Sequence, residues 1–187
     1  MRLLLLLLFT SSLFISCKKY SPADSAFFIN ATSVSVSAKA NEGSGSSKIT
    51  DLWVYVNGQF QGAFPSDHLI PIINKNSTAK IEVYAGIKNN GISGTRVFWS
   101  FYDKLEFDTL VESGKTIEHP FIFTYNPTTH FPLIEDFDAL GYNFINSPIS
   151  SGTFAIAPTE DCYEGKSLKL ELTGLQDIAQ IEANKFY

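Results

Sequence analysis

Two kinds of hydrophobic pattern divide the chain. The first is nearly unbroken: residues 3–9 are apolar, and Leu13, Phe14 and Ile15 follow after Thr10, Ser11 and Ser12. Everything later comes in short runs separated by turn residues. Alternation with period two puts one set of side chains on each face of a strand. Residues 27–37 alternate, with Ile29, Ala31, Ser33 and Ser35 against Asn30, Thr32, Val34 and Val36, and they are rich in β-branched side chains. Residues 41–47 are a loop by composition. Residues 52–56 predict a strand with Leu52, Val54 and Val56 on one face and Trp53 and Tyr55 on the other. Asn57-Gly58 follows, and residues 59–64 resume strand character. Asn-Gly between two such runs is a strong hairpin signal, because both central residues of a type I′ turn need positive φ.

Residues 68–74 predict a further strand, with Pro71 marking an edge or a kink. Residues 80–84 alternate with Ile81 and Val83 inward. An aromatic-rich run over 96–102 (Phe98, Trp99, Phe101, Tyr102) and strands over 107–111 and 116–125 complete the set. No amphipathic helix pattern follows the N-terminal run. Strands at short spacing with turn signals between them imply an all-β, antiparallel sandwich. Residues 25–126 are assigned to an immunoglobulin-like β-sandwich. The polar stretch 126–132, with Pro127 and Pro132, reads as a boundary. A second domain, 133–187, opens on Leu133-Ile134-Glu135-Asp136-Phe137-Asp138. It later alternates over 163–172, with Leu168, Leu170 and Leu172 on one face.

The N-terminal run starts positive at Arg2 and is about thirteen residues long, short of the roughly twenty needed to span a hydrocarbon core. It is therefore read as a secretory signal rather than a transmembrane helix. It ends Phe14-Ile15-Ser16-Cys17, followed by Lys18-Lys19. This resembles the lipobox of bacterial lipoproteins, with Phe14 where leucine is usual. The resemblance implies a lipid on the Cys17 thiol, cleavage before Cys17 and acylation of the new amino group. Residues 1–16 are then the signal peptide and 17–24 a lipidated tether. Several acyl chains on one residue anchor stably where one would be marginal. The implied location is the bacterial cell envelope, at the outer membrane.

Further segments carry a second resemblance. Ser47-Lys48-Ile49-Thr50-Asp51-Leu52-Trp53-Val54-Tyr55-Val56-Asn57-Gly58-Gln59, Gly62-Ala63-Phe64, Ile70-Pro71, Ala85-Gly86-Ile87-Lys88-Asn89-Asn90-Gly91-Ile92 and Thr95-Arg96 through Phe101-Tyr102 resemble a group of uncharacterised lipoproteins of the Bacteroidetes. The hairpin is also similar to small immunoglobulin-like surface modules of the PEGA type. In the second domain, the acidic-aromatic opening and Glu164-Gly165-Lys166-Ser167-Leu168-Lys169-Leu170 resemble the start of a jelly roll of the galactose-binding or carbohydrate-binding-module type. A jelly roll has eight strands, and residues 133–187 supply about four. The second domain is therefore expected to be the first part of a truncated jelly roll.

Composition narrows the chemistry. A net charge of −5, with no Lys/Arg cluster longer than two, argues against nucleic acid as a partner. A hydrophobic content of 44% suffices for a packed core. Of the two cysteines, Cys17 is committed to lipid, which leaves Cys162 alone; neither an intramolecular disulfide nor a four-ligand zinc site is expected. A thiol nucleophile built from Cys162 with His68, His119 or His130 is the weaker reading beside a half-buried Cys162 next to a strand. Glu135, Asp136 and Asp138 are the densest carboxylates. Glu135 and Asp136 are adjacent in a strand-like run and would face opposite ways, which disfavours a general acid/base pair. Hard cations bind several oxygens, and the jelly-roll resemblance implies a structural calcium site with Glu135 or Asp138 as ligand. The alternative is a solvated strand start, and no other cofactor is expected.

Trp53, Tyr55, Trp99, Phe98 and Tyr102 form either a core or a sugar-stacking surface. Trp53, Tyr55 and Trp99 are the candidate ligand-binding residues. Asp24-Ser25-Ala26 and Asp108-Thr109-Leu110 resemble a short bacterial O-glycosylation signal. No phosphate loop, Gly-x-Ser-x-Gly, His-Glu-x-x-His or Cys-x-x-Cys motif is present. The expectation is a lipid-anchored envelope protein that is not an enzyme, a binding or spacer module whose ligand by resemblance is a glycan. The alternatives are a docking subunit of an envelope complex and the non-catalytic front end of a longer enzyme.

Overall fold

In the computed structural model, which describes residues 26–138 and 144–183, the first strand sits in the middle of a sheet. β1 (Ala26–Ser37) pairs antiparallel with β4 (Ile70–Ile73) on one side and parallel with β8 (Thr116–Thr124) on the other. The signal peptide 1–16, Cys17 and the tether 17–24 lie outside the described residues, as do 139–143 and 184–187. Parallel pairing of β1 with β8 departs from the purely antiparallel expectation. Parallel neighbours need a long connection, and here it is all of the chain between the two strands.

The second sheet is five-stranded. β2 (Asp51–Val56) lies between β3 (Gln59–Pro65) and β5 (Thr78–Lys88). The far edge of β5 is shared by β6 (Arg96–Phe98), opposite residues 86–88, and β7 (Leu105–Leu110), opposite residues 78–83. The 96–102 run is thus only three residues of strand followed by a turn. A Tyr102–Tyr125 bridge then ties that turn to the end of β8. The two sheets enclose one hydrophobic cluster, in a sandwich-like arrangement. Phe27, Ile29, Ile70, Ile72, Phe121 and Phe123 come from the first sheet, and Leu52, Val54, Ile81 and Val83 from the second. Each side chain of this size contributes about 1.5–3 kcal/mol when fully buried.

Two bulges decide which residues reach this core. In β1 the pairing with β8 slips between Ala31 and Ser33. Phe27 and Ile29 face inward before the slip, and Val36 faces inward after it. Strict alternation would have put Val36 on the opposite face from Ile29; one extra residue reverses the phase. In β3 the slip lies at Gln61, between the pairs Val54–Gly62 and Tyr55–Phe60. Phe64 therefore packs against the core while Phe60 stands on the outside, 51% exposed. The hairpin itself is as expected, with Asn57 at φ 51° and Gly58 at φ 77°. Pro71 does lie on an edge strand, facing solvent.

After Phe123 no hydrophobic side chain is buried among the described residues. Residues 133–138 are irregular rather than a strand. Beyond them are two separate two-stranded antiparallel sheets, β9 (Phe144–Asn146) with β12 (Ile181–Ala183), and β10 (Thr153–Ile156) with β11 (Leu168–Glu171). Leu170 and Leu172 are exposed. Among the described residues the chain is all-β, apart from short 3₁₀ turns, and no helix is long and apolar enough to cross a membrane.

Candidate ligand-binding face

β2 is buried on one face by Leu52, Val54 and Val56, so Trp53 and Tyr55 must lie on the other. Cross-strand register then adds neighbours. Tyr84 of β5 is opposite Trp53, the β3 bulge brings Phe60 opposite Tyr55, and Phe98 of β6 is opposite Gly86, beside Trp53. The rings touch in a chain. Trp53 lies 5.6 Å from Phe60 and 6.0 Å from Phe98, and Tyr55 lies 5.1 Å from Phe60 and 5.4 Å from Tyr84. Tyr84 closes the circuit at 5.6 Å from Phe98. These five rings cover the solvent side of the sheet, away from a core that is already complete.

Gly86 makes room for this packing. A Cβ at position 86 would lie 2.8 Å from Trp53 Nε1 and 2.9 Å from Asp51 Cβ. The indole N–H is buried there without a hydrogen-bond partner among the described residues. Asp51, on the same face and 1% exposed, is held by the Arg96 guanidinium and by the Thr50 hydroxyl at 2.8 Å. A carboxylate removed from water needs such partners.

The rest of the face is charged. Glu82 of β5 is opposite Glu106 of β7, and Lys104 bridges the two. Lys80 reaches Glu106 at 3.1 Å. Lys104, then Lys80, hold the Glu106 carboxyl down to about 2, while Glu106 and Glu82 raise the Lys104 ammonium.

Of the three candidate ligand-binding residues, the structure brings two together. Trp53 and Tyr55 share the outer face, while Trp99, next in sequence to Phe98, turns elsewhere and packs on Phe101 at 4.8 Å. Trp99 lines a separate open cleft with Tyr102 and Tyr125. Phe60 and Tyr84 were not among the candidates. Phe60 is revealed only by pairing register across the β3 bulge, whereas Tyr84 alternates visibly with the inward Ile81 and Val83.

Glu135 and Asp138 line one cleft of about 390 Å³ together with Asp136, Glu164 and Lys166. The segment is not a strand, so Glu135 and Asp136 do not diverge to opposite faces. Their carboxylates accept backbone N–H groups instead, Phe137 N–H to Glu135 and Asp138 N–H to Asp136, both at 3.0 Å. Among the described residues no group of three or more His, Cys, Asp or Glu side chains is placed to hold a metal ion. Cys162 is a half-buried free thiol whose Sγ lies 3.3 Å from the Pro158 carbonyl oxygen. His68 pairs with Asp67, His119 stacks on Phe107 at 4.0 Å, and His130 borders another cleft. Thr109 lies half-buried on the same side of β7 as Leu105 and Phe107.

No protein-family model matches the chain, and neither a curated protein nor a solved structure shows a significant likeness to it.

Proposed function

We propose that this is a lipid-anchored, non-catalytic binding module of the bacterial cell envelope, and that the outer face of its five-stranded sheet binds glycan. The observation that carries the reading is the five-ring surface of Trp53, Tyr55, Phe60, Tyr84 and Phe98 on the side of the sheet that the core does not use. Aromatic faces give a sugar a large apolar contact at little entropic cost, and an exposed apolar patch on a soluble domain marks a contact surface. The lipobox-like sequence ending at Cys17 supports attachment to the membrane. The two facing sheets support an immunoglobulin-like module over 25–126, and the short antiparallel pairs beyond it support a jelly-roll-like reading of 133–187.

A glycan array probed with the full-length, detergent-solubilised protein tests the reading. Binding should fall about tenfold or more for the double variant Phe60→Ala/Phe98→Ala, which removes the two most exposed rings, each tenfold corresponding to about 1.4 kcal/mol. No bound glycan, or binding of neutral glycans that survives this double variant, overturns it. Anchoring has its own test. Cys17→Ser should abolish incorporation of radiolabelled palmitate, and unchanged labelling would refute attachment at Cys17.

A second reading, an envelope protein as partner, has one observation in its favour. The two most exposed rings, Phe60 and Phe98, have no polar group to offer a sugar hydroxyl. In-cell crosslinking from position 60 would then yield a discrete protein adduct in place of a glycan signal.

A further inference from the structure

Trp99 leads to a second site. It lines a cleft of about 550 Å³ together with Tyr102, Tyr125, Lys48, Lys88 and the hydroxyl residues Ser46, Ser47 and Thr50. The chain as a whole is acidic, with 19 Asp and Glu against 14 Lys and Arg, yet no acidic residue lines this cleft and two lysines do. Neither Lys48 nor Lys88 forms an ion pair among the described residues, although most other lysines of the sandwich do. Lys88 is half-buried and Lys48 is exposed. Burial, with Tyr125 beside it, pushes the Tyr102 hydroxyl up, although an ordinary phenol is already protonated at neutral pH.

The walls are tied down by backbone hydrogen bonds. Thr50 N–H donates to the Gly86 carbonyl at 2.9 Å and Trp99 N–H to the Ala85 carbonyl at 2.7 Å. Asp103 N–H donates to the Thr124 carbonyl and Asn126 N–H to the Phe101 carbonyl, both at 2.8 Å. A site held in this way before the ligand arrives loses less freedom on binding.

From this lining we infer that the cleft binds an acidic sugar residue, its ring against Trp99 and the tyrosines and its carboxylate or sulfate between Lys48 and Lys88. Charge-assisted hydrogen bonds from the two ammonium groups supply the selectivity for an anion, and the aromatic wall and hydroxyls supply the preference for a hydroxylated ring over a bare ion. The inference rests on the glycan reading for the class of ligand and on a different set of residues for the site.

Calorimetry with the full-length solubilised protein tests it. The probes are an oligogalacturonide, a sulfated galacto-oligosaccharide, a neutral galacto-oligosaccharide of equal length, and inorganic sulfate. Either acidic sugar, or both, should bind at least about tenfold more tightly than the neutral one and than sulfate alone, and raising salt from 0.05 to 0.5 M should erode that margin. Lys48→Gln and Lys88→Gln should each weaken acidic-sugar binding about tenfold, the loss expected for one charge-assisted hydrogen bond. Trp99→Ala should weaken it as well, but the two lysine variants decide the matter if Trp99→Ala does not fold. Equal binding of acidic and neutral sugars, sulfate binding as tightly as the sugars, no binding of either acidic sugar, or unaltered affinity in both lysine variants would overturn the inference. The outer face is read out separately, by the array signal of neutral glycans lost in Phe60→Ala/Phe98→Ala, while the cleft is read out by the acidic-sugar affinity lost in the lysine variants, so failure at one site is distinguishable from failure at the other.

Discussion

The two regions of this chain have similar raw material and use it differently. Between Phe27 and Phe123, fourteen hydrophobic side chains are buried in one cluster between two sheets. Over 133–183 the described residues bury none, and Ile149, Leu172 and Leu175 stand 62%, 57% and 103% exposed. The difference is not one of hydrophobicity. A strand can bury its apolar face only if another layer faces it, and an isolated pair of strands is marginally stable in water. The first region has two facing layers, while the second has hairpin-sized pairs, β9–β12 and β10–β11. Apolar alternation is therefore necessary for a core and insufficient for one.

The widest separation between the regions should come from truncating one apolar side chain in each. Phe121 is fully buried in the core cluster, and Phe121→Ala should destabilise the sandwich by about 3–5 kcal/mol in urea unfolding. Leu170 is 47% exposed, and Leu170→Ala should change stability by no more than about 0.5 kcal/mol. Comparable losses would mean that the second region possesses a core after all.

Ion pairs divide in the same way, with a smaller gap. Arg96→Ala leaves the Asp51 carboxylate buried without its cation and should cost about 2–4 kcal/mol, part of it restored by Arg96→Lys. In β11, Lys169 and Glu171 are 3.4 Å apart with both side chains about half exposed, and Lys169→Ala should shift stability by less than about 0.5 kcal/mol. Thermal melts of the three variants check this. A negligible effect of Arg96→Ala would show that water reaches Asp51.

Glycines probe packing where no side chain is present. Gly86→Ala would drive a methyl into Trp53 and Asp51 and should cost about 1–3 kcal/mol, disturbing the outer-face rings. Gly152 is also crowded, with an added Cβ 2.8 Å from the Glu171 carbonyl oxygen and 3.0 Å from Ala179 Cβ. Because it belongs to the region without a core, Gly152→Ala should raise amide exchange only locally, near Ile178 and Gln180, and leave exchange in β2 and β5 unchanged. Exchange that rises throughout both regions would show that they unfold as one unit.

What could be read from the sequence was whatever depends on neighbours along the chain. Asn57-Gly58 gave away its turn, and Leu52, Val54 and Val56 opposite Trp53 and Tyr55 gave away the two faces of β2. The membership of the outer face was less legible. Phe60 faces outward and Phe64 inward only because of the bulge at Gln61, and an extra residue leaves no mark in alternation. Trp99 and Phe98 part company because β6 ends at Phe98, and an aromatic run does not announce where a strand stops. Alternation would set Glu135 and Asp136 on opposite faces of a strand, but residues 133–138 do not form one. The cleft with Lys48 and Lys88 is assembled from segments forty residues apart, beyond the reach of any local pattern.

The smallest effects concern one carboxylate in each region, and here acid makes the two regions look alike while salt separates them. Lys104 and Lys80 depress Glu106 to about 2 from an ordinary 4.5. A depressed carboxyl lends stability that is complete above the unfolded value and is lost as pH falls toward the folded one, so the contribution of Glu106 fades between about pH 4.5 and 2. Asp177 is lowered too, but by hydrogen bonds to its own turn, from Thr173 N–H at 2.8 Å, Thr173 Oγ1 at 2.9 Å and Gly174 N–H at 2.7 Å. Its contribution fades over the same acidic side. The causes differ, and screening acts on charges at the surface far more than on short hydrogen bonds to backbone. Carboxyl titrations followed by NMR at 0.05 and 0.5 M salt should show the Glu106 inflection moving upward in high salt while that of Asp177 moves little. A Glu106 inflection at its ordinary value in low salt would mean that the lysine ladder of the outer face is not formed in solution. An Asp177 inflection that follows salt as closely as Glu106 would mean that the 173–177 turn of the second region is held by long-range charge rather than by its own backbone.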